Sequence, residues 1–203
     1  MGMLFDLHIH TARHSPDSSI DPFELVRRAR AIGLDGVVIT EHDWLWTEDE
    51  LNELRAAAPG LIVLAGVEVS AHAGHVLCYG VTNPFRIPKD IPWAELCDEV
   101  HRQGGAAVAA HPFRWDQPFE KFFTQQRPAF DGLEVMSKNL DAELRGRVRE
   151  FRSRHPHLSA LGNSDAHAVG EVGCCRTEFG VPVRTNAELV AAIRAGRATP
   201  RAG

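Results

Sequence analysis

Asp6-Leu7-His8-Ile9-His10 closes the first strand that can be read in the chain, Phe5–His10. Side chains at i and i+2 of a strand point the same way, so His8 and His10 share one face and are able to share one metal ion. Outward from this stretch, short apolar runs alternate with amphipathic segments. Further strands are expected at Gly36–Thr40, Leu61–Val69, Val76–Tyr79, Ala106–Ala110, Gly132–Val135, Leu158–Gly162 and from Thr199 onward. Val, Ile and Leu fill most of them without clean alternation, as in strands buried on both faces.

Helices are expected between these strands. Asp21-Pro22-Phe23-Glu24 supplies a cap, a proline at the first helical position and an acidic first turn, and Gly33 ends that helix. Thr47 and Glu50 form a capping box before Leu51–Ala58, which Pro59-Gly60 stops. Pro92–His101 runs up to Gly104-Gly105, Asp141 opens a helix to about Arg154, and Asn186 opens the last one, stopped by Gly196. Strand–helix alternation with short links predicts a parallel sheet, open or closed into a barrel, in a single domain over residues 1–203. The Pro-rich loop from Asn83 to Pro92 reads as a cover for a site or as rim filling.

The 203 residues carry 44% hydrophobic and 24% charged side chains, which excludes a disordered or fibrous chain. The longest apolar stretches, such as Leu61–Val67, are far shorter than the ~20 residues a membrane span needs. Asp6 and His8 come too early for a signal peptide. A net charge of −5 sets duplex nucleic acid at a disadvantage as a partner. Cys78, Cys97, Cys174 and Cys175 form no CxxC, so neither a disulfide framework nor a thiolate zinc site is expected, and a reducing cytoplasm is the plain reading.

Eleven His are present, and their placement matters more than their number. Chance alone gives such a chain roughly half an HxH pair, so His8-Ile9-His10 needs context. The chain supplies its own counterexample in His155-Pro156-His157, which follows a helix and precedes a strand. In a β/α fold that is the face opposite the ligand site, so this pair is expected to be a surface loop. Six other places bring His, Asp or Glu to the ends of strands: His8 and His10; Asp17; Glu41-His42-Asp43; Glu68 with His72 and His75; His111; and Asp165-Ala166-His167. One such residue is most often a helix cap or a satisfied core group. Six at the same end of successive strands predict a site, because ligands of parallel β/α folds bind there. Imidazole and carboxylate without thiolate suit Zn, Mn or Fe, and so many donors suit two or three ions. Three divalent ions against Asp17, Glu68, Asp165 and a hydroxide leave a charge of about +2, which calls for an anion such as phosphate.

These motifs, in this order, resemble the PHP (polymerase and histidinol phosphatase) superfamily. The resemblance rests on Asp6-Leu7-His8-Ile9-His10-Thr11 with Ser15-Pro16-Asp17-Ser18, Ile39-Thr40-Glu41-His42-Asp43, Gly66-Val67-Glu68-Val69-Ser70 with Gly74-His75, Ala110-His111-Pro112 and Asn163-Ser164-Asp165-Ala166-His167. It runs from about residue 4 to the end of the chain. It implies a distorted (β/α)7 barrel with a two- or three-metal site at the C-terminal face of the strands. By the same resemblance His8, His10, Glu68 and Asp165 hold one metal, and Asp17, His42 and His167 a second. Glu68, His75 and His111 hold a third, with Glu68 bridging. Two departures stand out: Glu41 occupies a position where the family often has Asp, and the loop before Asp17 is one residue longer. His14 therefore competes with Asp17, and His72 with His75; the resemblance favours Asp17 and His75.

The expected reaction is hydrolysis of a small phosphate ester, a nucleotide or metabolite phosphate, by attack of a metal-bridging hydroxide on phosphorus. Asp17, His42, Glu68, Arg114, Asp165 and His167 are expected to carry it. Arg13, Arg114 and Arg176 lie near the ligands and suit bidentate clamping of phosphate. His72 and Asp43 are alternatives for the general acid, and Asp43 equally suits a group that orients His42. Trp44 and Trp46 read either as an apolar wall for a planar group or as packing. Arg145, Arg149 and Arg152 read as a solvated helical stripe. A 3'-5' exonuclease-like phosphodiesterase and a non-catalytic metal-binding regulatory module are the competing functions. No membrane partner is expected, and the oligomeric state is open.

Overall fold

The computed structural model describes residues 2–203. Nine strands form one sheet: β1 Met3–Ile9, β2 Gly36–His42, β3 Ile62–Ala71, β4 Gly74–Tyr79, β5 Ala106–Ala109, β6 Gly132–Met136, β7 Ser159–Gly162, β8 Cys175–Phe179 and β9 Ala198–Ala202. Their spatial order is β7-β6-β5-β4-β3-β2-β1-β8-β9. Six helices surround it: α1 Pro22–Ala31, α2 Glu48–Ala57, α3 Trp93–Arg102, α4 Phe119–Gln126, α5 Ala142–Arg154 and α6 Asn186–Arg194. The sheet curls into a nearly closed barrel. Just beyond β7, Ala166 bridges to Ile9 of β1, and the His10 amide donates to the Ala166 carbonyl at 3.0 Å. Lower down, where β8 intervenes, the Thr177 hydroxyl sits between β8 and β7, within 3.1 Å of the Gly162 amide and 2.9 Å of its carbonyl. A Cβ at Gly162 would lie 2.8 Å from the Arg176 carbonyl oxygen, so this seam closes only on glycine.

The local signals act as expected where a side chain caps a helix. Asp21 accepts from the Phe23 and Glu24 amides at the start of α1, Thr47 and Glu50 close a capping box on α2, and Asp141 accepts from the Leu144 amide of α5. The cap of α6 is Thr185 rather than Asn186, paired reciprocally with Glu188. Apolar faces of strands and helices bury a layer outside the barrel wall, and Phe5, Leu7, Val38, Leu77, Val108 and Leu161 belong to a separate cluster with α6.

Two expectations about the sheet are corrected. It is not all parallel: β4 runs antiparallel to β3 and β5, and β8 is antiparallel to β1 and β9. Only His72 and Ala73 separate β3 from β4, far too little chain for a crossover, so the chain turns back at Gly74, whose φ of 128° belongs to glycine. Strand β8 and helix α4 are not foreseen from the sequence pattern. Cys175–Phe179 alternates buried and half-exposed positions instead of forming an apolar run. Phe119–Gln126 follows Pro118, which offers no side-chain cap.

The loop 83–92 forms a 3₁₀ turn at Pro84–Arg86 and walls a cavity of about 820 Å³ on the outer side of β3, with Trp46, Val67 and Val69 on its inner surface. Trp46 is buried and donates its indole N–H to Glu41, so it packs outside the barrel wall. In the arginine stripe of α5, Arg145 donates to the Leu140 and Ser137 carbonyls and Arg152 to the Leu158 carbonyl. They tie down neighbouring loops, and Arg149 alone of the three is exposed. No helix among the described residues is long and apolar enough to cross a membrane.

Candidate metal centre

The expected ligand residues converge at the C-terminal ends of the barrel strands. His8 and His10 leave β1 on one face and are fully buried. Their Nε2 atoms stand 3.1 Å apart. The reversal of β4 brings His75 to the same end: it pairs in register with Ser70, two residues past Glu68, so both point inward. Glu68 lies at the middle of the cluster. Its carboxylate approaches His8 at 3.3 Å, His10 at 3.2 Å, His42 at 3.1 Å, His75 at 2.9 Å and His111 at 3.1 Å. Asp165, at a left-handed φ of 55°, turns Oδ1 to within 3.2 Å of His8 and 3.3 Å of His10. Asp17 Oδ2 spans His42 at 3.1 Å and His167 at 3.2 Å.

Carboxylates and imidazoles shift each other's protonation. Burial opposes charge on His8, but Asp165, Glu68 and Glu134 outweigh it and raise its pKa. His10 is raised against the same penalty by Asp165 and Glu68. His42, partly buried, is lifted to about 9 by Glu68 and Asp17. Burial would raise Glu68 and Asp165, yet the surrounding imidazoles hold both below the ordinary carboxylate range.

This donor set fits metal ions better than protons. Glu134 is hydrogen-bonded to His8 Nδ1 at 3.1 Å, and Ser15, itself held by Glu41, to His10 Nδ1 at 3.2 Å. Both outer nitrogens being engaged, the two Nε2 lone pairs face each other and the acid oxygens. Glu68 Oε2 and Asp165 Oδ1 are buried without a hydrogen-bond partner. Bonds of ~2.0–2.1 Å to one tetrahedral ion would set its ligand atoms about 3.3–3.4 Å apart. The Nε2 atoms of His8 and His10 stand 3.1 Å apart, and each lies 3.2 to 3.3 Å from a Glu68 oxygen and from Asp165 Oδ1. Two more groups have donor atoms within 4.8 Å of one another, His10 with His42 and His167, and His42 with Glu68 and His75.

Of the alternatives left open by the sequence, His14 turns away to Glu50 at 2.8 Å, and His72 is exposed and faces Asp90 at 3.3 Å. Asp43 accepts from the Ser70 amide at 2.8 Å, with no bond to His42. Arg13 reaches Glu53 and Arg176 the Gly173 carbonyl. Arg114 alone of the three arginines reaches the cluster, with Nη1 3.3 Å from Asp165 Oδ2. His155 stacks on Phe151 at 4.4 Å, at the far end of α5.

Several residues outside the expected ligand set support the centre. Glu134 is fully buried on β6; besides its bond to His8 it accepts from the His111 amide and from Asn163. Its only signal was an acid inside the apolar run Gly132–Val135. Asn139 donates to Asp165, and Lys138 pairs with Glu171, which also accepts from the His167 amide. Asp6, noted only as part of a motif, accepts from the Ser164 and Gly173 amides, and burial pushes its carboxyl up to about 6.

Residues 6–167 match the PHP domain model. This chain belongs to the PHP domain family. A second model, PHP-associated, matches residues 146–198, from α5 to the start of β9. An uncharacterised protein of Methanocaldococcus jannaschii is 30% identical over 120 residues, 55% of this PHP chain and 68% of that relative. Solved structures share the fold. One is a two-domain protein of Bacteroides vulgatus containing a predicted PHP-like metal-dependent phosphoesterase, at a TM-score of 0.76 and 19% identity. That match covers 99% of this chain and 65% of the other, so the chain spans a little under two thirds of that protein. Another is a lesion-specific endonuclease of Pyrococcus furiosus, at a TM-score of 0.66 and 18% identity, covering 98% of this chain and 58% of that one. The barrel expected from the resemblance is thus the barrel found, with β4 reversed.

Proposed function

We propose that this PHP domain is a metal-dependent phosphoesterase that hydrolyses a small phosphate ester. The observation that carries the reading is the convergence of six His with Glu68, Asp165 and Asp17 at one end of the barrel, with buried acid oxygens left without hydrogen-bond donors. His8, His10, Glu68 and Asp165 would hold one ion, Asp17, His42 and His167 a second, and Glu68, His75 and His111 a third. Zn, Mn and Fe all suit imidazole–carboxylate donors. Divalent ions bound there supply a water of lowered pKa and neutralise charge on phosphoryl oxygens.

The chain's own residues do the rest. Glu134 and the Glu41–Ser15 pair fix the tautomers of His8 and His10, which keeps both Nε2 atoms turned inward. Arg114 holds a guanidinium at the lip of the cluster, where its planar fork suits two phosphoryl oxygens. The net charge of −5 favours a small substrate over a nucleic-acid polymer. A reducing cytoplasm is the proposed setting, consistent with four free thiols.

The test is a panel of phosphate monoesters and diesters, assayed with protein supplemented with manganese or zinc and with the same protein after chelation. The account expects hydrolysis that requires the ion and is lost in Asp165→Asn. Protein that binds ions tightly and cleaves no ester would mean a regulatory metal-binding module instead.

A further inference from the structure

Next to the cluster stands an aromatic side chain that neither metal binding nor folding explains. Trp115 is 59% exposed, while most aromatic side chains of the protein are buried. Its ring centroid lies 5.7 Å from that of His75 and 5.5 Å from that of His111. The Arg114 guanidinium carbon stacks 4.0 Å over the indole, and Nη1 of the same arginine lies 3.3 Å from Asp165. Arg114 thus ties the indole to the centre, and the ring remains more than half exposed with that stack in place.

The backbone here is held at a cost. Phe113, Trp115 and Asp116 have φ of 69°, 57° and 54°, in the left-handed region that bulky residues rarely adopt. Phe113 is buried in the core against Phe119 and Phe151, so the turn is anchored from below. A strained, anchored turn that presents an indole to solvent beside a cationic fork is a pattern found at ligand clamps.

From this juxtaposition we infer that Trp115 is a stacking platform for the organic part of the substrate, and that the phosphate esters taken by this site carry a planar ring, as a nucleotide does. The inference rests on the phosphoesterase reading and deepens it. Arg114 would face the phosphoryl group while the ring lies against the indole. Base–indole stacking tolerates any base, because every base has a π face.

Adenosine 5'-phosphate and ribose 5-phosphate test this, since they share one primary phosphate ester on ribose and the second carries an anomeric hydroxyl in place of the base. With manganese-loaded protein, the wild type should favour adenosine 5'-phosphate about tenfold in kcat/KM, mostly through KM. Trp115→Ala should abolish that preference, costing adenosine 5'-phosphate about tenfold more than ribose 5-phosphate, and Trp115→Phe should retain much of it. Equal loss for both esters in Trp115→Ala, or no preference in the wild type, overturns the inference. Calorimetric binding of both ligands is measured alongside. If neither ester is cleaved but the base still tightens binding through Trp115, the platform stands and the phosphoesterase reading fails. If neither is cleaved and both bind alike, or neither binds, the platform fails too.

Discussion

The chain contains the pattern His-x-His twice, and the two copies have different fates. His8 and His10 are buried at the C-terminal end of β1, with Nε2 atoms 3.1 Å apart and two carboxylates facing them. His155 and His157 sit between α5 and β7 at the other end of the barrel, with ring centroids 6.0 Å apart. His155 packs on Phe151 and Phe123, and burial together with His157 and Arg154 lowers its pKa. The spacing is identical, so spacing does not make the site. The difference lies in the acids that neighbouring strands bring to the first pair and in the groups that lock its tautomers.

The largest expected effect breaks this contrast directly. His10→Ala should lower metal-dependent ester hydrolysis by roughly a thousandfold, the scale of several kcal/mol of lost charge stabilisation. The paired change His155→Ala with His157→Ala should leave the rate within about twofold. Steady-state kinetics on the two purified variants checks both arms.

The tautomer locks come next. Glu134→Gln preserves volume and removes the charge behind His8, so metal affinity should fall about 10–100-fold with the fold intact. Competition with a chelating dye measures it. An unchanged affinity would mean that Glu134 only satisfies the Asn163 and His111 donors.

Chelation should lower the melting temperature of the wild type by about 5–10 °C, from ~2.7 kcal/mol of binding linkage at a hundredfold excess over Kd. The variant lacking His155 and His157 should show the same drop, and His8→Ala a much smaller one. Scanning calorimetry with and without chelator resolves the three.

Proton release sharpens the comparison further. His42 is raised to about 9 by Glu68 and Asp17, so it holds a proton near pH 7 that a metal must displace. Metal binding should therefore tighten as pH rises from 6 to 8, by about tenfold per pH unit for each proton released. His155 is shifted the other way and lies at the opposite end of the barrel, so its removal should not alter the proton count. Calorimetry in buffers of different ionisation enthalpy counts those protons.

Much of the site was legible because its donors stand at strand ends, where periodicity and turn signals locate them. His8, His10, Glu68, His111 and Asp165 needed only that placement. What stayed hidden depends on neighbours in space. Glu134 is one acid in a four-residue apolar run, and only the packing of β6 between β5 and β7 sets it behind His8 and His111. The reversal of β4 hangs on a two-residue turn, and without it His75 would point away from Glu68. Three arginines near the motifs are alike in sequence, and only Arg114, in the left-handed turn after His111, reaches Asp165.

Metal content per chain tests the central claim most directly. Elemental analysis of protein purified without chelator, then supplemented with manganese or zinc, should give two or three tightly held ions per chain, with a clear loss in Asp165→Asn and none when His155 and His157 are both replaced. Well under one ion per chain in every preparation would contradict the account, since the donors would then converge for some purpose other than holding metal.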